Sequence, residues 1–273
     1  MKQVLEQVRV HAIPAFTDNY IWMMHDGRNA VVVDPGDAGP VETALAEMGL
    51  SLRAIVLTHL HYDHCWGVPG LLERWPVPVY GPVLNDYDRT THPPFPKPGT
   101  VPLDCVTHPV GDGDHVMLDA LRTELTVIAV PGHTRGHLAF WDRARERVFT
   151  GDSLFNGGCG LVFDSLSDMA QSLARLAGLP EQTKVYCGHE YTQANARFAL
   201  TVDRDNPDLA ARAMAVDTAR AAGRPTVPST MAEERAANPF LRADHPALAA
   251  AVGLPGGDPA EIFAAIRLRK DNF

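Results

Sequence analysis

The chain has few cysteines, little basic charge and no long apolar runs, and each shortage closes off a class of protein. Only four cysteines occur in 273 residues, Cys65, Cys105, Cys159 and Cys187, and none forms a CxxC pair. That spacing excludes a thiolate zinc cage and a disulfide framework, and it leads us to expect a reduced, cytoplasmic chain. Lys and Arg number 24 against 33 Asp and Glu, a net charge of −9. Nucleic-acid binding calls for a basic face, so no such partner is expected. No apolar stretch approaches the ~18 residues of a membrane span. The opening "MKQVLEQVRVHAIPAF" lacks the continuous apolar core of a secretory signal, so no membrane partner is expected either.

What is present is an ordinary globular composition, 45% hydrophobic, arranged in two styles. Up to about residue 190, short β-rich runs alternate with Gly and Pro. "RNAVVVDPGD" is a strand closed by a turn. "PVETALAEMG" has helical spacing with a terminal Gly suited to a C-cap. "LRAIVLTH", "LTVIAVPGH" and "TKVYCGH" are further strands, and "HLAFWDRARERVFTG" reads as a hairpin. "SDMAQSLARLAG" is a helix that Ser167 would cap. Strands adjacent in sequence favour layered sheets with helices outside over a doubly wound parallel sheet. Beyond residue 190 the chain turns Ala-rich and helical, as in "NPDLAARAMAVDTARAAG" and "DPAEIFAAIRLRK". We therefore expect two domains, 1–190 and 191–273. The Pro-dense segment at 91–102 reads as a surface loop.

The chemistry concentrates in "THLHYDHCWG", where His59, His61, Asp63 and His64 fall within six residues. If the first pair is extended, His59 and His61 point the same way, because strand side chains alternate with period two. Asp63 and His64 follow at the start of a short helix and are splayed from that pair. Four ligands so close in sequence converge on one ion only with strain, and two ions sharing the segment is the easier geometry. More ligands recur downstream in a common setting: His133 after "VIAVPG", Asp152 after "VFTG" and His189 after "VYCG". In each, an apolar strand ends, a Gly follows, and a ligand stands next. Imidazoles and carboxylates without thiolates suit zinc and tolerate iron or manganese.

"THLHYDH" matches the T-H-x-H-x-D-H signature of the metallo-β-lactamase superfamily. "IPAFTDNYIW", "DPGDA", "GDSLFNGGCG", "GHEYT", "NPFLR" and the terminal "FAAIRLRKDNF" together resemble glyoxalase II, the hydroxyacylglutathione hydrolase family. The resemblance implies an α/β (α+β) fold, an αββα sandwich followed by a helical, substrate-binding domain. It implies two divalent metal ions per chain, one held by His59, His61 and His133, the other by Asp63, His64 and His189, with Asp152 bridging. The implied reaction is hydrolysis of S-(2-hydroxyacyl)glutathione thioesters, S-lactoylglutathione giving glutathione and D-lactate, in the removal of methylglyoxal. Asp63 and Asp152 would act in catalysis, and a monomer is expected. The alternative is a related thioesterase or lactonase of the same fold with altered thiol specificity.

Other residues carry readings of their own. Arg267 and Lys270 are three apart on a helix and share a face. They suit either a substrate carboxylate or the negative end of the helix dipole, and the resemblance assigns them, with Tyr191, to glutathione. Asp34 either orients a ligand or shapes the turn before Pro35. Cys65 is expected to be a buried thiol and His137 a packing or hydrogen-bonding residue. One departure stands out. The family carries Lys or Arg after "GCG", where this chain has Leu161, and Phe163 stands where the family has an aromatic residue but offers no phenolic hydroxyl. Against the resemblance, this chain would lack a charged contact to glutathione, with weaker binding or a broader range of thiols as the expected outcome, while the metal ligands are unaffected.

Overall fold

Antiparallel pairing begins at β1 (Arg9–Ala15), which lies against β2 (Asn19–His25) in one register from Arg9↔His25 to Ala15↔Asn19. The computed structural model describes residues 8–83 and 105–273. The Pro-dense segment expected to be a loop at 91–102 lies outside the described residues. Two compact units divide the chain, the first running to Ala129 together with Thr134–Gly151, the second comprising Val130–His133 and Asp152–Phe273.

In the first unit, β2 pairs antiparallel with β3 (Asn29–Val33), and β3 runs parallel to β4 (Ser51–Val56). Short parallel strands β5 (Val79–Gly81) and β6 (His108–Pro109) extend this sheet. The β3–β4 crossover is α1 (Ala38–Met48). Asp37 caps its start by accepting the Gly39 N–H, and Gly49 closes its end at φ 64, the left-handed geometry that glycine adopts without strain. This is the Gly-terminated helix expected from the sequence. β3 and β4 are rich in β-branched residues and buried nearly throughout, as strands with covered faces must be. Met23, Val32, Ile55, Leu45 and Leu71 anchor the core against them. After the sheet's fourth strand come two short helices, α2 (Tyr62–Cys65) and α3 (Val68–Arg74).

The same unit holds an antiparallel meander, β7 (His115–Leu118), β8 (Thr123–Ala129), β9 (Leu138–Asp142) and β10 (Arg147–Gly151). β9 and β10 form the expected hairpin, closed by a 3-10 turn over Arg143–Arg145. The buried Asp142 carboxylate receives the Arg145 backbone N–H and guanidinium there.

In the second unit, β11 (Leu154–Phe155) and β12 (Gly158–Cys159) form a two-residue hairpin, and β13 (Lys184–Cys187) pairs with β14 (Ser229–Thr230). Helix α4 (Leu166–Ala177) is capped by Ser165, whose hydroxyl accepts the Asp168 N–H. The expected cap, Ser167, lies inside the helix and accepts a hydrogen bond from Gln171. The chain from Thr192 on is almost wholly helical: α5 (Thr192–Val202), α6 (Pro207–Ala221), α7 (Met231–Ala237), α8 (Pro246–Ala251) and α9 (Pro259–Asp271). The packed rings of Phe198, Phe240 and Phe263 join α5 and α9 to the Pro239–Leu241 turn. Among the described residues, no helix is long and apolar enough to cross a membrane.

Candidate metal centre

Within the first unit, the chain leaves β4 in an extended path and switches to helix at His61, whose φ of −63 and ψ of 146 place it at the N-cap of α2. His59 and His61 therefore lie on the extended side of the switch, and Asp63 and His64 on the single turn beyond it. Nε2 of His59 stands 3.0 Å from Nδ1 of His61.

Buried hydrogen bonds orient these rings. The Asp34 carboxylate accepts the Thr58 N–H at 2.7 Å, the Thr58 hydroxyl at 2.7 Å and the His64 Nδ1–H at 3.0 Å. Because the Thr58 hydroxyl has given its proton to Asp34, the contact of 3.0 Å from His59 Nδ1 makes that nitrogen the donor. His59 and His64 are both locked with a lone pair on Nε2. Asp34 thus orients a candidate ligand, His64, and it also shapes the turn, since its φ is 54. Asn19 donates to Asp63 Oδ2 at 3.0 Å and so orients the carboxylate. Sequence reasoning missed Asn19, although it lies within the "TDNY" of a shared motif. His137 is fully buried and stacks on His59, with ring centroids 4.6 Å apart and planes 18° apart. Cys65 is buried, donates to the Leu60 carbonyl, and is pushed well above the ordinary thiol range by burial, so it offers no thiolate.

The second unit carries the other three candidates. Gly132 precedes His133 at φ 136, and a Cβ there would stand 2.6 Å from that of Met169, so only glycine fits. His133 Nδ1 donates to the Leu161 carbonyl at 2.8 Å, which again leaves the lone pair on Nε2. That nitrogen lies 3.6 Å from Asp152 Oδ2, and Nε2 of His189 lies 3.3 Å from the same oxygen. Asp152 is buried between the two imidazoles, an arrangement suited to a carboxylate that bridges cations. The His189 ring stacks on Tyr191 at 4.7 Å and 6°, with Phe155 edge-on to both.

In each unit, imidazole lone pairs held by buried partners (His59 and His64 in the first, His133 in the second) stand with a carboxylate, a donor chemistry that fits hard-to-borderline divalent cations.

The basic residues of α9 differ from a free pair on one face. Arg267 is only 4% exposed; its guanidinium donates to the Cys159 carbonyl at 3.1 Å and pairs with Asp271 at 2.7 Å. Lys270 is half-buried over the Phe198 and Phe273 rings, and burial, reinforced by Arg267, lowers its pKa. Leu161 and Phe163 are exposed, with the Phe163 ring 5.4 Å from that of His133.

Residues 16–189 match the family model of the metallo-β-lactamase superfamily, and residues 190–273 match that of the hydroxyacylglutathione hydrolase C-terminus. A hydroxyacylglutathione hydrolase of Cupriavidus metallidurans is 47% identical over 97% of this chain and 99% of its own length. This chain belongs to the hydroxyacylglutathione hydrolase (glyoxalase II) family. Another family member, from Alkalilimnicola ehrlichii, is 49% identical over 95% of this chain and 97% of its own. The crystal structure of the BLEG-1 B3 metallo-β-lactamase superposes with a TM-score of 0.63 at 22% identity, covering 85% of this chain and 99% of that one, which shows the shared fold. The fold is the metallo-β-lactamase α/β fold with the family's helical C-terminal domain, and each unit carries His and Asp donors suited to divalent cations.

Proposed function

We propose that this glyoxalase II family member hydrolyses S-(2-hydroxyacyl)glutathione thioesters, turning S-lactoylglutathione into glutathione and D-lactate in the cytoplasmic removal of methylglyoxal. The observation that carries this reading is the joint match of both segments, 16–189 and 190–273, with near-full-length identity to glutathione thioester hydrolases. It does not favour the lactonase alternative. We assign His59, His61 and His133 to one ion, Asp63, His64 and His189 to the other, and Asp152 to both. Zinc suits this donor set best, with iron or manganese compatible. Residues 1–190 would form the catalytic domain and 191–273 the substrate domain, in a monomer.

Two divalent cations bound there supply Lewis acidity, which can bring the pKa of water from 15.7 toward ~7, worth roughly 12 kcal/mol at 1.36 kcal/mol per unit. The chain's own groups do the rest. Asp34 and Thr58 hold His59 and His64 in the Nε2-ligating tautomer, and the Leu161 carbonyl does the same for His133. Asn19 orients the Asp63 carboxylate, which can accept the proton of the attacking water. Water oxygen adds to the thioester carbonyl carbon, the C–S bond breaks, and the sulfur leaves as a thiolate that needs no dedicated acid. Lys270 and Tyr191 take the glutathione moiety. Arg267 contributes by supporting the wall at Cys159 and Gly160. The exposed Leu161 leaves that side without a cation, which weakens the hold on glutathione.

Parallel assays on S-lactoylglutathione, nitrocefin, a homoserine lactone and RNA test the reading. Turnover confined to the thioester supports it, and activity only on another substrate overturns it.

A further inference from the structure

The second unit contains a buried carboxylate that the proposed chemistry does not use. Glu234, on α7, is 1% exposed, and burial raises its pKa against the opposing pull of Arg212. Burying a carboxylate is costly unless it is fully engaged, so its partners indicate its use. Its Oε2 accepts the Gly157 N–H at 2.8 Å and the Asn238 amide at 3.0 Å. The other hydrogen of that amide is shared between the Gly158 carbonyl at 3.0 Å and the Phe155 carbonyl at 3.3 Å. The β11–β12 hairpin is thus gripped at its turn. Asn195 donates to the Asn156 carbonyl at 3.1 Å from the adjacent side, where a Cβ on Gly158 would stand 2.6 Å from its nitrogen.

The open end of the same hairpin carries the metal chemistry. One strand starts two residues after Asp152. The other leads through Gly160 to the Leu161 carbonyl that fixes the His133 ring. These ends are closely packed: a Cβ on Gly160 would stand 2.0 Å from the Asp152 carbonyl oxygen and 3.1 Å from His133 Nδ1. A hairpin this short has little stiffness of its own, so the grip on its turn sets where both ends lie.

We propose that Glu234, with Asn238 as its intermediary, is a positioning residue that sets Asp152 and His133 for cation binding by clamping the turn of the 154–159 hairpin. The proposal rests on the ligand assignment above, and the experiment separates the two. Zinc affinity of the full chain is measured by chelator competition for the parent, Glu234→Met, which has no acceptor for the Gly157 N–H, and Asn238→Ser, beside thermal melts and the 15N signature of His133 in the metal-free proteins. Loss of an outer partner of a ligand weakens metal binding by roughly 10–100-fold. We expect a loss of that size in both variants, with a weakened Nδ1–H signature at His133, folded far-UV spectra, and a lower kcat at unchanged KM for S-lactoylglutathione. In Asn238→Ser the new hydroxyl can still accept the Phe240 N–H that the Asn238 side chain caps, so this variant decides the matter if Glu234→Met does not fold. Variants that melt earlier but bind zinc as the parent does, with the His133 signature intact, assign Glu234 to fold stability alone and overturn the proposal. A parent that binds no divalent cation overturns the ligand assignment itself.

Discussion

Asp34 Oδ2 lies 3.0 Å from His64 Nδ1, thirty residues further along the chain, and both side chains are buried. The same carboxylate reaches His59 through the Thr58 hydroxyl, so one residue fixes the tautomers of two candidate ligands.

Asp34→Asn tests that coupling with little disturbance of the backbone, because Asn tolerates the left-handed φ of 54 nearly as well as Asp. The amide accepts at only one of the two positions, so either the Thr58 N–H contact at Oδ1 or both the Thr58 hydroxyl and His64 contacts at Oδ2 are lost. Metal affinity is expected to fall by about 10–100-fold, read by chelator competition. Unchanged affinity would mean that the rings are held by other means.

Lys270 sets a pH dependence. Burial and the nearby Arg267 lower its pKa from 10.5, so it loses its charge earlier on the alkaline side than an exposed lysine. Affinity for S-methylglutathione should therefore decline as pH rises toward that ordinary value, more steeply in the parent than in Lys270→Arg, whose guanidinium stays charged. Calorimetry across that range reads the difference. Parallel profiles for the two proteins would remove Lys270 from the binding surface.

Leu161→Lys restores a cation beside His133 while leaving the carbonyl that orients the ring in place. A charge-assisted hydrogen bond contributes about 1.5–3 kcal/mol, so KM for S-lactoylglutathione should drop by roughly tenfold or more. KM unchanged within error would show that the thiol moiety passes elsewhere.

The parts legible in the sequence were those with a local signature. The His59–His64 cluster announced itself by density. The strand–Gly pattern singled out His133, Asp152 and His189 as candidates, and Gly49 ended α1 where its conformational freedom is needed. Ser165 and Ser167 show why caps are harder to assign: both precede the apolar face of α4, and only the Ser165 contact to the Asp168 N–H decides between them. Asp34 had two local readings, and its contacts to Thr58 and His64, 24 and 30 residues away, leave no mark in the nearby sequence. Arg267 followed the same logic in reverse. Helical spacing gave its face, but its contact with the Cys159 carbonyl, 108 residues earlier, leaves no local trace. The Glu234–Asn238 grip joins residues about 80 apart, and nothing near either residue marks it.

The most direct test of the central claim is the metal content of the purified protein measured together with its turnover of S-lactoylglutathione. The account predicts two divalent ions per chain, activity abolished by chelation and restored on metal return, and a loss of both metal and turnover in His59→Ala and Asp152→Ala. A single ion per chain, or turnover that persists in the metal-depleted protein or in either variant with near-native metal, would contradict it.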